Sequence, residues 1–273
     1  MDGLRKPAVA GSFYPGHAAA LSDMVTGLLS DASTDTLAHM ATPPKAIIVP
    51  HAGYIYCGAT AARAYAGLVA ASRTIRRVVL LGPAHRVAVR GLALPGVARF
   101  ATPLGEVALD QDAIDCIRHL PQVVECASAH THEHALEVQL PFLQSVLDEF
   151  TLVPLVVGDA TADEVAQVLE LLWGGPETLI VISSDLSHFL PYAQAKAVDR
   201  TTARQILGLR PGITHDQACG GTPINGLLLA AQRHGLAPHL LGQCNSGDTA
   251  GDKQRVVGYA SFAFTSPEQH HAI

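Results

Sequence analysis

Apolar residues along this chain fall into short unbroken runs rather than strict alternation. Ala46–Val49, Arg77–Leu81, Thr151–Val157, Leu179–Ser183, His239–Leu241 and Val256–Phe264 are rich in Val, Ile and Leu, as expected of strands covered on both faces. Pro154 interrupts the third run, a residue that sheets confine to edges, strand starts or bulges. Between the runs the spacing turns helical. Ala18–Leu29 and Ala59–Ala71 are candidate helices, the second with small residues that permit close packing. Thr161 and Glu164 form a capping box ahead of Val165, Val168, Leu169 and Leu172, which share a helical face. Thr222 as N-cap, Pro223 in the first turn and Gly235 at the end bracket a further helix. Pro141 starts or kinks another, carrying Leu143, Val146 and Leu147. Strands alternating with helices predict an α/β class, three-layer α/β/α fold around a central, largely parallel or mixed sheet. The one linker-like stretch, Ala41–Pro44, is too short to separate domains, so residues 1–273 read as a single domain.

Composition supports a large core, with 48% hydrophobic and 15% charged residues. A net charge of −6 argues against a nucleic-acid partner, which calls for a basic stripe. No apolar run is long enough to span a bilayer, and Met1–Pro15 lacks the apolar stretch of a secretory signal. A soluble cytoplasmic protein is the expectation. Cys57, Cys116, Cys126, Cys219 and Cys244 are odd in number and contain no CxxC pair, which fits reduced thiols rather than a disulfide framework or zinc finger. Histidine is the commonest metal ligand, and this chain has 14 of them. His270 and His271 sit at the very end of the chain and are set aside as tail residues.

Chemistry gathers where the strands end. Ala46–Val49 runs into Pro50-His51-Ala52-Gly53-Tyr54, and Arg77–Leu81 into Gly82-Pro83-Ala84-His85. Leu179–Ile182 runs into Ser183-Ser184-Asp185-Leu186-Ser187-His188, and Leu240-Leu241 into Gly242-Gln243-Cys244. Ligands of open α/β sheets bind outside the carboxyl ends of strands, so parallel strands would bring three histidines and a thiol to one rim. A single histidine after a strand is ordinarily a loop residue bonded to a nearby carbonyl, and Cys244 alone is ordinarily a small buried hydrophobe. The repetition at four strand ends is what points to a site. Ser184, Asp185 and His188 lack a GxSxG elbow and make a poor hydrolase triad.

A second polar cluster is His130-Thr131-His132-Glu133-His134 with Glu137. If helical, His130 and His134 share one face, as do Glu133 and Glu137. Leu136 stands where the second histidine of an HExxH zinc motif would be. The ordinary reading is a solvated helix start with acids near its positive end, and His134 is a candidate for the pocket.

The chain is similar to the Memo family, whose fold resembles that of class III extradiol dioxygenases. The likeness is carried by Arg5-Lys6-Pro7-Ala8-Val9-Ala10-Gly11-Ser12-Phe13-Tyr14-Pro15, by the His51, His85 and His188 segments above, and by residues 132–143. It implies a metal site on His51, His85 and Cys244. In the related dioxygenases two histidines and a carboxylate hold Fe(II) while another histidine serves as acid and base near the substrate. His188 resembles that residue, with Asp185 to orient it and Tyr54, His134 and Phe13-Tyr14 as pocket residues. A thiolate in place of the carboxylate also suits zinc or copper. The resemblance thus implies a non-haem iron dioxygenase acting on a catechol-like small molecule. It also accommodates a metal, redox or partner-binding protein without turnover, or a zinc hydrolase with His188 as base. Radical-SAM and AMMECR-type proteins are the partners that it suggests.

Overall fold

The computed structural model describes residues 3–36 and 42–266. His270, His271 and Ala41 lie outside the described residues. The strands are β1 (Leu4–Arg5), β2 (Ala46–Val49), β3 (Arg77–Pro83), β4 (Leu92–Leu94), β5 (Arg99–Thr102), β6 (Gly105–Ala108), β7 (Val123–Glu125), β8 (Thr151–Val157), β9 (Thr178–Ser183), β10 (His188–Leu190), β11 (Ala237–Asn245) and β12 (Val256–Thr265). The helices are α1 (Ala18–Thr36), α2 (Tyr54–Ala66), α3 (Gln111–Ile117), α4 (Ala127–Thr131), α5 (Leu140–Val146), α6 (Ala162–Leu171), α7 (Tyr192–Leu207) and α8 (Gly221–Arg233).

Nine strands form one mixed sheet, in the order β10-β12-β2-β9-β3-β8-β4-β7 with β11 on β12, and β1-β5-β6 form a small second sheet. At its centre β2, β9, β3 and β8 run parallel. Every residue of β2 and β9 is buried, which explains why these runs carry no alternation: both faces are covered. Helices α1, α2 and α5 pack together with α2 against β2, β11 and β12, while α6 packs on α8, which touches β3 and β9. This is the α/β fold with a large mixed sheet between helices that the runs predicted.

Local differences have local reasons. The helix expected over Ala59–Ala71 begins at Tyr54 and ends at Ala66, with a separate single turn at Val69–Ala71. Helix α8 is capped by Gly220 without a side-chain bond, and the Thr222 hydroxyl contacts His215 Nε2 at 3.4 Å instead. The capping box at Thr161 and Glu164 forms, and Pro141 lies in the first turn of α5. Pro154 is tolerated inside the sheet because β4 pairs only with Val156 and Val157 of β8, leaving no ladder on that side at Pro154. Among the described residues no helix is long and apolar enough to cross a membrane.

Candidate metal centre

Parallel register builds the site. Val49 pairs with Ser183 and Leu81 with Ile182, so the chain leaves β2, β9 and β3 side by side. The next residues are Pro50-His51, Ser184-Asp185 and Ala84-His85. His51 is 1% exposed, and its backbone N–H donates to Asp185 Oδ1 at 2.7 Å. The His85 N–H donates to Glu133 Oε2 at 2.7 Å, and Glu133 Oε1 lies 2.9 Å from His85 Nδ1. The same carboxylate draws the following residue, His134, into the site. His51, His85 and His134 each offer a ring nitrogen, all within 4.8 Å of one another.

Hydrogen bonds fix which nitrogen His51 and His85 have to offer. Ser183 Oγ donates its single proton to Ala135 O at 2.6 Å and accepts from Gln139 Nε2 at 2.8 Å. His51 Nδ1, 2.9 Å from the same oxygen, must therefore be a donor. That leaves His51 Nε2 with the lone pair. Gln139 is held in its turn, donating to Pro50 O at 2.9 Å and accepting from the Tyr65 hydroxyl at 2.8 Å. His85 Nδ1 faces the Glu133 carboxylate and donates likewise, which leaves Nε2 as the nitrogen turned to the cluster. His134 Nδ1 is buried without a hydrogen bond, although Glu133 Oε1 is 3.3 Å away. Burial, helped by the neighbouring imidazoles, lowers the pKa of His51 to about 3 and of His134 to about 4, so both rings are neutral ligands at physiological pH. Burial alone would raise the pKa of Glu133, but the His85 ring and the amides of Ala135 and His85 outweigh it and hold the pKa near 2. Three imidazole nitrogens backed by a carboxylate fit a divalent metal.

The thiol beside this cluster is Cys219, whose Sγ lies 3.2 Å from His51 Nε2. Burial and the nearby Asp185 push its pKa up to about 12, a state that coordination would reverse. Cys244 is elsewhere. Strand β12 stands between its strand and β2, and its Sγ pairs with Thr60 Oγ1 of α2 at 3.0 Å. The structure therefore does not bring Cys244 to the three histidines. Cys219 was missed because it follows no strand. It sits in the loop before α8, positioned by the Gly220 N–H on Ser184 Oγ at 2.9 Å.

A cavity of about 440 Å³ opens beside the cluster, lined among others by Phe13, Tyr56, His134, Asp185, His188 and Tyr259. Asp185, His188 and His134 thus share one chamber. The Asp185 carboxyl has a raised pKa from burial, opposed by the His51 amide and the facing imidazoles of His188, His134 and His85. Tyr54 is not in this wall. It is buried against Tyr14 and Phe142, with its hydroxyl on Val138 O at 2.6 Å. The residue two further along α2, Tyr56, takes the expected place, since two helical positions turn by about 200°.

The acidic cluster is also not a solvated helix start. Glu133 and Glu137 are 2% and 0% exposed. Helix α4 ends at Thr131, so both acids lie on irregular chain or a single tight turn and point inward to bind backbone donors. Glu137 accepts from Ala8 N at 2.7 Å, Val9 N at 3.0 Å, the Tyr14 hydroxyl at 2.5 Å and the Arg5 guanidinium. Arg5 also donates to His130 O and Glu133 O, at 3.1 and 2.6 Å. The N-terminal segment thereby braces the loop that carries His134.

The family described as Memo-like protein matches residues 5–263. A MEMO1 family protein of Sulfolobus acidocaldarius is 33% identical over 282 residues, covering 96% of this chain and 99% of the relative. Those of Ignicoccus hospitalis and Aquifex aeolicus are 34% and 33% identical, covering 97% and 96% of this chain and 99% of each relative. Among solved structures, an uncharacterized protein JW3007 from Escherichia coli K12 is similar at a TM-score of 0.50 and 14% identity, covering 80% of this chain and 98% of that one; at that identity the likeness concerns the fold. By the extent of these matches, the chain belongs to the Memo-like protein family.

Proposed function

We propose that this protein holds a divalent metal on His51, His85 and His134, and takes a catechol-like small molecule in the adjoining cavity as an extradiol-type dioxygenase. The observation that carries this reading is His134, which belongs both to the three-nitrogen cluster and to the wall that Asp185 and His188 share. Fe(II) is the metal this reading favours, since when bound it would supply positions for both a vicinal diol and dioxygen. His188 would take a diol proton on a ring nitrogen, a task suited to an imidazole. Asp185 anchors the His51 backbone and faces His188, so it acts on position and charge rather than on substrate. Tyr259 and Phe13 would exclude water from the ring.

The Cys219 thiol favours a second reading, metal binding without turnover. A thiolate beside His51 Nε2 is a soft, oxidisable donor that suits zinc or copper. Anaerobic Fe(II) reconstitution followed by oxygen-uptake assays on a series of catechols separates the two. Near-equimolar iron that is lost in His51→Ala, His85→Ala and His134→Ala, with oxygen consumed on adding a diol, supports the dioxygenase. Iron retained in all three variants removes the centre, and bound iron without uptake on any diol moves the assignment to the second reading.

A further inference from the structure

The same cavity is lined by a guanidinium that has no carboxylate partner among the described residues. Arg255 lines the chamber together with Asp252, Ser246, Gly251, His134 and His188. Among the described residues no carboxylate lies within ion-pair distance of Arg255. Its side chain is exposed, and its Cζ lies 5.0 Å from the centroid of the Phe189 ring. A planar guanidinium laid on an aromatic face keeps its N–H edge available for a second partner.

Three further observations show that this arrangement is built. Phe189 has φ of 58°, a left-handed conformation that bulky residues rarely adopt, and it leaves the ring 60% exposed. Such strain persists where the surroundings impose it, and it is commonest at ligand sites. Strand β10 is tied to β12 on either side of Phe189, at His188 with Val257 and at Leu190 with Val256, with a register shift between them. The bulged residue is therefore the one that supports Arg255. Both acids of the lining are also engaged within the protein. Asp185 Oδ1 accepts the His51 amide, while Asp252 Oδ1 accepts the amides of Gln254 at 2.7 Å and Arg255 at 3.3 Å.

We infer that Arg255 is the specificity-determining residue of the cavity, and that its ligand is a small acid. One end of that ligand would be an oxygen pair for the metal, and the other a carboxylate for the guanidinium fork of Arg255. This rests on the metal-site reading above. A cavity of about 440 Å³ falls within the range that holds such monocyclic ligands.

The test is calorimetric titration of anaerobic, iron-reconstituted protein, in which no turnover occurs. The probes are 3,4-dihydroxybenzoate and 4-methylcatechol, which share the diol and differ in the carboxylate. Wild type should bind the acid about tenfold more tightly, or better, as expected of a charge-assisted bond. Arg255→Gln should erase that preference and leave 4-methylcatechol binding unchanged, while Arg255→Lys should keep part of it. Equal affinities in wild type, or a preference that survives Arg255→Gln, overturn the inference while the metal-site reading stands on 4-methylcatechol binding. Binding of neither probe overturns both.

Discussion

Arg5 and Glu137 form a buried ion pair across 132 positions of sequence, with side chains 5% and 0% exposed. It joins the N-terminal segment to the loop that presents His134, so stability and site geometry share a fastening. Removing one member of a buried pair costs about 3–5 kcal/mol. The two removals are unequal here. Arg5→Met leaves a carboxylate that still has the Ala8 and Val9 amides and the Tyr14 hydroxyl, whereas Glu137→Gln strands a buried guanidinium on two carbonyls. Denaturant unfolding should therefore show Glu137→Gln as the more damaging change, and Arg5→Met/Glu137→Met should cost less than the sum of its single changes. An additive double variant would mean that the pair has no coupling.

Ser183→Ala should weaken metal binding by about 10–100-fold, as expected when the group that sets a ligand's tautomer is lost. Of the three candidate ligand rings the hydroxyl touches that of His51 alone, at Nδ1, and Gln139 keeps its bond to the Pro50 carbonyl. Competition against a chromogenic chelator measures the effect. An unchanged affinity would show that the hydroxyl does not select Nε2.

Cys219→Ser and Cys244→Ser should part company. The first removes the sulfur beside His51 Nε2 and should lower metal affinity. It should also abolish any sulfur-to-metal charge-transfer band after Co(II) substitution. The second disturbs only a contact with Thr60 and should leave both unchanged. The reverse result would return the thiol role to Cys244.

His130 makes stability fall on acidification. Burial lowers its pKa from 6.5 to about 4, against the help of its bond to the Ala93 carbonyl, which lies 2.8 Å from Nε2. Between about pH 6.5 and 4 the unfolded chain binds a proton that the folded chain refuses, so stability drops as pH falls through that window. The loss amounts to about 3 kcal/mol. His130→Gln keeps a donor for Ala93 without the titration, and should flatten the profile by about one proton. Urea titrations at several pH values would reveal it.

Much of the centre could be read from strand ends. His51, His85 and Asp185 follow β2, β3 and β9, whose unbroken apolar runs announce themselves because both faces are buried. His188 likewise falls on the shared cavity. Cys219 could not be found this way, because loop packing rather than a strand delivers it. Glu133 and Glu137 looked solvated because acids near a helix start usually are. Their burial depends on donors from residues 5–14 and from the His85 loop, contacts that no local pattern encodes. Tyr54 opens α2 with its ring buried, which leaves Tyr56, unmarked in the sequence, to line the cavity.

The pairing of Val49 with Ser183 also bears on the order of events during synthesis. His51 emerges early, yet the groups that fix its ring and backbone, Ser183 and Asp185, lie 132 and 134 positions later, and Cys219 follows at 168. A nascent chain halted before β9 carries the histidines and the Glu133 that holds His85, but neither the hydroxyl that sets the His51 tautomer nor the carboxylate that ties its backbone. In the metal-site reading, the His51 ring would be fixed as a ligand only once β9 has paired with β2.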